Sequence, residues 1–170
     1  MSNIELTNQQ LEALTEELRS ASGPGTAAWD ASASHARQFN EALIESFRQN
    51  DRKAPGSLEA RNLMLLTSTG AKSGQKRTVP LSFHRIDGRL VVVASMAGAD
   101  RNPPWFHNIK ANPDVNVEME GETFDATAVI TSGEDRDRLF AGVVAHQAVF
   151  ASYQRRTKRV IPVVELIRKP

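Results

Sequence analysis

The chain has 170 residues, a formal net charge of +1, 40% hydrophobic and 24% charged side chains, and no cysteine. That is enough for one ordinary globular domain with a real core and too little for two comfortable ones. The small net charge gives no general pull toward nucleic acid or anionic membranes, and the absence of cysteine removes disulfides, thiolate catalysis, iron–sulfur clusters and Cys-type zinc sites together.

No apolar run approaches the roughly 20 residues that span a bilayer. The opening "MSNIELTNQQLEAL" lacks a basic head and an apolar core, so no signal peptide is expected and the cytoplasm is the expected location. Thr7 begins a capping-box pattern with Gln10, and Leu11, Leu14 and Leu18 follow at helical spacing. "SGPGT" at 22–26 breaks the chain. A second helix is predicted over 34–49, with Ala36, Phe39, Leu43 and Phe47 on one face. "NDRKAPG" reads as a linker, so 1–56 forms a helical extension and 57–170 a second unit.

After Arg61 the period becomes that of strands. "NLMLLTST" is a short buried run, "RTVPLSFHRI" a second strand, Asp87-Gly88 a two-residue hairpin and "RLVVVAS" a third strand. "AGADRNPPW" is a loop, with a helix starting at Asn102-Pro103 and ending at Asn112-Pro113. "DVNVEM" alternates, Glu120-Gly121 turns, and "ETFDATAVI" returns. Ser132, Glu134 and Asp135 start a helix predicted to run to about Tyr153. "VIPVVELI" is a strand whose Pro162 suggests a sheet edge. Five or six mostly antiparallel strands with interspersed helices make a small β-barrel, α+β by class. Turns this short forbid parallel crossovers between the first three strands.

Three stretches carry chemistry. "TGAKSGQKRT" places Gly70, Lys72, Ser73, Gly74, Lys76 and Arg77 together without an acid. It lacks the Walker spacing. It is either a strand-to-strand loop with solvated lysines or an anion cradle, in which glycines expose N–H groups and Lys72 and Arg77 converge on a phosphate. "VVVASMAGADRNPPWF" puts small residues and backbone donors at a strand end, which suits the edge of a flat polar ring. Phe106 with Ile109 reads better as core, and His107 as a surface histidine. His35, His84, His107 and His146 are scattered without metal-ligand spacing, so no metal is expected. In "VVAHQAVFASYQRRTKR", Gln147, Phe150 and Tyr153 fall roughly on one helical face, and Tyr153 is the chain's single tyrosine. An amphipathic core helix explains the same pattern, with Arg155, Arg156, Lys158 and Arg159 complementing its dipole. The cations lack the aromatic interleaving of a nucleic-acid patch.

"LLTSTGAKSGQKRTVPL", "VVVASMAGADRNPPWFHNIKANPDVNVEMEGETFDATA" and "SYQRRTKRVIPVVEL" resemble the deazaflavin-dependent nitroreductase family, over about 61–167. The motifs T-G-x-K-[ST]-G-Q-x-R and A-N-P carry the resemblance. It implies a split β-barrel oxidoreductase of the actinobacterial type that uses coenzyme F-420, an 8-hydroxy-5-deazaflavin with a phosphodiester and an oligoglutamate tail. In family terms the cradle holds the phosphate through Ala71, Lys72, Ser73, Gly74 and Arg77. Thr78, Val79, Pro80, Leu81 and Ser82 line the tail, and Val93, Ala94, Ser95 and Met96 run along the ring. Pro104, Trp105, Phe106, His107 and Asn108 close the phosphate side. Gln147, Phe150 and Tyr153 cover the substrate.

The implied chemistry is hydride transfer from the reduced coenzyme to a small electron-poor acceptor such as a quinone, enone or nitro compound. Tyr153 is the proton donor and Ser95 a hydrogen-bond partner of the ring. Many relatives carry tyrosines where Gln147 and Phe150 stand, and some a lysine at Met96. The rival readings are a non-catalytic carrier of a flat ligand and an FMN-dependent flavoprotein. A homodimer is compatible with either, and a lipid quinone acceptor would bring the protein to a membrane surface.

Overall fold

The computed structural model describes residues 27–54 and 62–170. The capping box at Thr7, the Leu11–Leu18 stripe and the break at 22–26 lie outside these residues. Helix α1 (Ala27–Gln49) begins seven residues ahead of the predicted start. Leu43 and Phe47 on its expected face are buried.

Seven strands form one wholly antiparallel sheet: β1 (Leu63–Thr69), β2 (Lys76–Ser82), β3 (His84–Ile86), β4 (Arg89–Val93), β5 (Asp114–Met119), β6 (Glu122–Ile130) and β7 (Val163–Arg168). Their order is β2-β1-β5-β6-β7-β4-β3. The two outermost strands, β2 and β3, are joined by Phe83 alone. A sheet whose opposite edges are one residue apart in the chain cannot lie open, and it curls until those edges meet. Phe83 marks the seam: its N–H donates to Asn62 O at 2.9 Å and its ring enters the core. The predicted strand "RTVPLSFHRI" therefore divides in two.

Both short hairpins have the chemistry expected of them. Asp87 and Gly88 stand at φ +52° and +77°, Glu120 and Gly121 at +49° and +81°. Two successive left-handed residues match the right-handed twist of the strands they join. Pro162 corrects another expectation. β7 is not an edge strand, because it lies between β6 and β4. Pro162 precedes its first residue, where a missing N–H costs nothing, and its carbonyl accepts the Ala94 N–H at 3.0 Å.

Side chains alternate between two cores. The barrel interior holds Met64, Leu66, Val92, Val117, Trp105 and Phe106 among others. On the outer face of β3, β4 and β7, Ile86, Val91, Val93 and Val163 pack under α3 (Gly133–His146) and α4 (Val149–Arg155). The single helix predicted from Ser132 to Tyr153 is thus two. Gln147 turns extended (φ −138°, ψ 96°) and ends α3. No glycine or proline marks the break. Packing decides it, since the turn sends Phe150 into the outer core against His84 and Tyr153. Opposite these helices, α1 is tied to β5 by a bidentate pair from Arg48 to the buried Glu118 (2.9 and 2.8 Å). Among the described residues no helix is long and apolar enough to cross a membrane.

Candidate functional site

The loop between β1 and β2 is built around its glycines. Gly74 N–H donates to Gly70 O (2.9 Å), Gly70 N–H to Gln75 O (2.7 Å), and Gln75 N–H to Ser73 Oγ (3.2 Å). A side chain at Gly70 would put Cβ 2.4 Å from Ser73 Oγ, and Gly74 sits at φ +69°. Within this closed turn the N–H groups of Lys72 and Ser73 find no acceptor among the described residues. Lys72, Ser73, Gly74 and Arg77 are all exposed. Neither Lys72 nor Arg77 pairs with a described acid. Exposed cations beside uncommitted backbone donors, held in a rigid turn, suit an anion such as a phosphodiester.

Helix α2 (Pro104–Ala111) connects this loop to a second one. It starts at Pro104, one residue later than predicted, with Pro103 as its N-cap. Its Asn108 accepts the Ala71 N–H through Oδ1 (3.0 Å) and donates from Nδ2 to Ser68 Oγ (3.3 Å). Trp105, Phe106 and Ile109 are buried in the barrel, so these rings anchor the helix, while Pro104 and His107 face solvent.

The second loop runs from the end of β4 into α2. After Ser95, in right-handed conformation, Met96, Ala97 and Gly98 take φ values of +45°, +53° and +82°. Two consecutive non-glycine residues in that region need outside support. It comes from Arg159, a residue that sequence reasoning assigned to a helix dipole. Its guanidinium donates to Ala99 O (2.7 Å), Ala94 O (3.2 and 3.3 Å), Ser95 O (2.9 Å) and Asn102 Oδ1 (2.8 Å). Burial draws its pKa below the usual arginine value, against a smaller opposing pull from Asp100. Arg159 lies four residues past α4, too far to serve its dipole, and that offset was the available signal.

Arg159 is itself held. Gln154 Nε2 donates to Arg159 O (2.7 Å), and Gln154 Oε1 accepts from Ile161 N–H and from the buried Arg136, whose Nε also reaches Ile161 O. On the loop's other side stands α4. A Cβ at Gly98 would lie 2.7 Å from Tyr153 O, so backbone meets backbone there.

The structure thus ties the turn that carries Lys72, Ser73 and Gly74 to Asn108 through Ala71, and sets Gly98 against the backbone of Tyr153. Other expected site residues are committed elsewhere. Val79 and Leu81 pack on the barrel core, leaving Thr78, Pro80 and Ser82 on the alternate face of β2. Thr78 lines an open groove of about 550 Å³ with Ile44 and Arg48 of α1. Val93 and Ala94 are buried. Phe150 is buried, Tyr153 half-buried, and Gln147 sits at the break between α3 and α4.

The fold is a curled, wholly antiparallel barrel with exposed cations on the β1–β2 turn and uncommitted N–H groups at the end of β4. A family model described as F420H(2)-dependent quinone reductase matches residues 40–167. The chain belongs to that family, and it is by class an F420H(2)-dependent reductase with F-420 as its coenzyme. It is 42% identical over 109 residues to an F420H(2)-dependent quinone reductase of Mycobacterium tuberculosis strain H37Rv, covering 62% of this chain and 73% of the relative. A solved F420-H2 dependent reductase, FDR-A, shares 40% identity with a TM-score of 0.57, over 62% of this chain and 94% of its own. Another solved structure, described as a domain-swapped dimer, shares 33% identity with a TM-score of 0.60, over 79% and 98%.

Proposed function

We propose that this chain reduces a quinone-type acceptor with F420H(2), holding the coenzyme's phosphate on the 70–77 loop and its ring on the 94–98 loop. The observation that carries the reading is Asn108, which fastens the first loop to the helix that grows out of the second. One coenzyme with an anionic end and a flat end would then bridge two rigidly related loops. The residues fit it: the first loop has cations, uncommitted N–H groups and no acid, and the second has small residues at a strand end.

When bound, the reduced deazaflavin supplies the hydride. The protein's part is to bind, orient and exclude water. Lys72, Ser73 and Arg77 neutralise the phosphate. Ser95 and Met96 present backbone donors to the ring edge. The Tyr153 hydroxyl donates the proton that completes reduction of the acceptor, and Phe150 seals the floor behind it. In this reading 57–170 is the coenzyme-binding unit and 1–56 an extension. The protein is cytoplasmic and works at a membrane surface when its quinone is a lipid. A homodimer belongs to the same reading, supported by the relative described as a domain-swapped dimer, and mass in solution tests it.

The deciding experiment titrates the protein with oxidised F-420 and, separately, FMN, followed by fluorescence, and then measures F420H(2) oxidation with a panel of quinones and enones. Tight F-420 binding with quinone turnover is expected. Binding without turnover would make the protein a carrier, and preference for FMN would make it a flavoprotein.

A further inference from the structure

The acceptors on Arg159 are all neutral oxygens: three backbone carbonyls and one side-chain amide, drawn from Ala94, Ser95, Ala99 and Asn102. Arg159 is partly buried, and a guanidinium taken partly out of water with only neutral partners is costly unless it organises something. The loop's remaining polar groups show what. Ala94 N–H is taken by Pro162 O, Gly98 N–H by Ser95 O and Ala99 N–H by Met96 O. The N–H groups of Ser95, Met96 and Ala97 find no acceptor among the described residues. A right-handed residue followed by left-handed ones turns successive N–H groups toward one point, a concave arrangement that binds negative charge. Arg159 holds the carbonyls of Ala94, Ser95 and Ala99, Arg156 reaches that of Ala97 (3.4 Å), and the three donors are left uncommitted.

We propose that Arg159 is a positioning residue for the coenzyme ring, holding Met96 and Ala97 left-handed so that the N–H groups of Ser95, Met96 and Ala97 meet the negatively charged oxygen edge of the heterocycle. The proposal rests on the reading of function above. The 8-hydroxyl of the oxidised ring is conjugated to the oxygens of its pyrimidine-dione end, so its acidity reports how well donors at that end stabilise the anion. The guanidinium fork reaches four acceptor groups at once, which an ammonium with three donors cannot do.

The test compares native protein, Arg159→Lys and Arg159→Ala, each checked for folding by thermal melting. Two quantities are read: affinity for oxidised F-420, and the pH midpoint of the bound chromophore's absorbance. In the native protein the midpoint should lie below that of free coenzyme. In Arg159→Lys, which keeps the charge and loses the fork, affinity should fall about ten-fold and the midpoint should move back toward the free value. Arg159→Ala should move it at least as far. A native midpoint in Arg159→Lys overturns the proposal, whatever the alanine variant does. If neither Arg159 variant folds, Asn102→Ala decides in the same way, since it removes one acceptor of the fork. F-420 bound by native protein with an unshifted midpoint also overturns the proposal, and leaves the reading of function standing. Failure of native protein to bind F-420 overturns both.

Discussion

Asn108 accepts the backbone N–H of Ala71 at 3.0 Å, so a helix from the middle of the chain holds the turn between β1 and β2. This contact fastens the turn to the helix. Replacing Asn108 with alanine removes the Ala71 and Ser68 bonds together and frees the loop. Coenzyme affinity should fall about ten-fold, the scale of one or two hydrogen bonds, with little change in thermal stability. Calorimetric titration with F-420 measures it, and native affinity in the variant would detach Asn108 from the site.

Lys72 and Arg77 are exposed cations, and the proposed phosphate contact would act through their charge. Lys72→Ala and Arg77→Ala should each weaken F-420 binding by about 1–3 kcal/mol. The loss should shrink as salt is raised, because exposed charges are screened. Binding isotherms at low and high salt separate this from loss of loop structure, which salt would not mask.

Gly98 and Gly88 both stand at positive φ and differ in surroundings. An added Cβ meets Tyr153 O at 2.7 Å in the first case and open space in the second. Gly88→Ala should cost only the backbone strain, about 1 kcal/mol. Gly98→Ala should cost more, about 2–4 kcal/mol, because α4 must move away from the loop. Urea denaturation of the two variants tests the difference.

His84 gives the fold a pH dependence. It is 1% exposed, lies edge-on to Phe150 at 5.3 Å between ring centres, and neither ring nitrogen has a partner among the described residues. Burial, with a smaller push from His146, lowers its pKa to about 4. In the unfolded chain it takes a proton near pH 6.5 and in the folded one only near pH 4. The native state is therefore favoured above pH 6.5 and loses about 3 kcal/mol as pH falls from 7 to 4. His84→Leu should flatten this part of the stability profile. An unchanged slope would place the acid sensitivity elsewhere.

Tyr153→Phe isolates the hydroxyl. The ring's packing on Phe150 stays, so coenzyme affinity should hold while quinone turnover drops, by about 10²-fold for a lost general acid. Steady-state rates with saturating F420H(2) check it, and full turnover would transfer the proton to solvent.

The sequence was most legible where local chemistry acts alone. Asp87-Gly88 and Glu120-Gly121 specify their turns by conformation, and the alternation of "DVNVEM" with the return of "ETFDATAVI" after its turn gave strands that match β5 and β6 residue for residue. It was least legible where distant packing decides. The break at Gln147 exists because Phe150 is drawn into a core assembled from β3, β4 and β7. Pro162 looked like an edge signal because its position one residue outside the strand depends on a partner, Ala94, far away in the chain. In the candidate site, the glycine loop was visible as composition. The Asn108 tether and the Arg159 clamp were not, since each is a contact between segments that no spacing announces. Trp105 illustrates the opposite limit: a motif residue is present, and its ring is spent on the core.

The insertion of β7 between β6 and β4 also fixes an order of events. During synthesis the other six strands leave the ribosome first, yet β4 and β6 are joined in the sheet only through β7. Arg159 emerges only just ahead of that strand. The nascent chain therefore carries the 70–77 loop early and the 94–98 loop without its Arg159 clamp until the final pairing closes. Non-local strand pairing of this kind is slow, so competence to bind coenzyme should appear together with completed folding rather than before it.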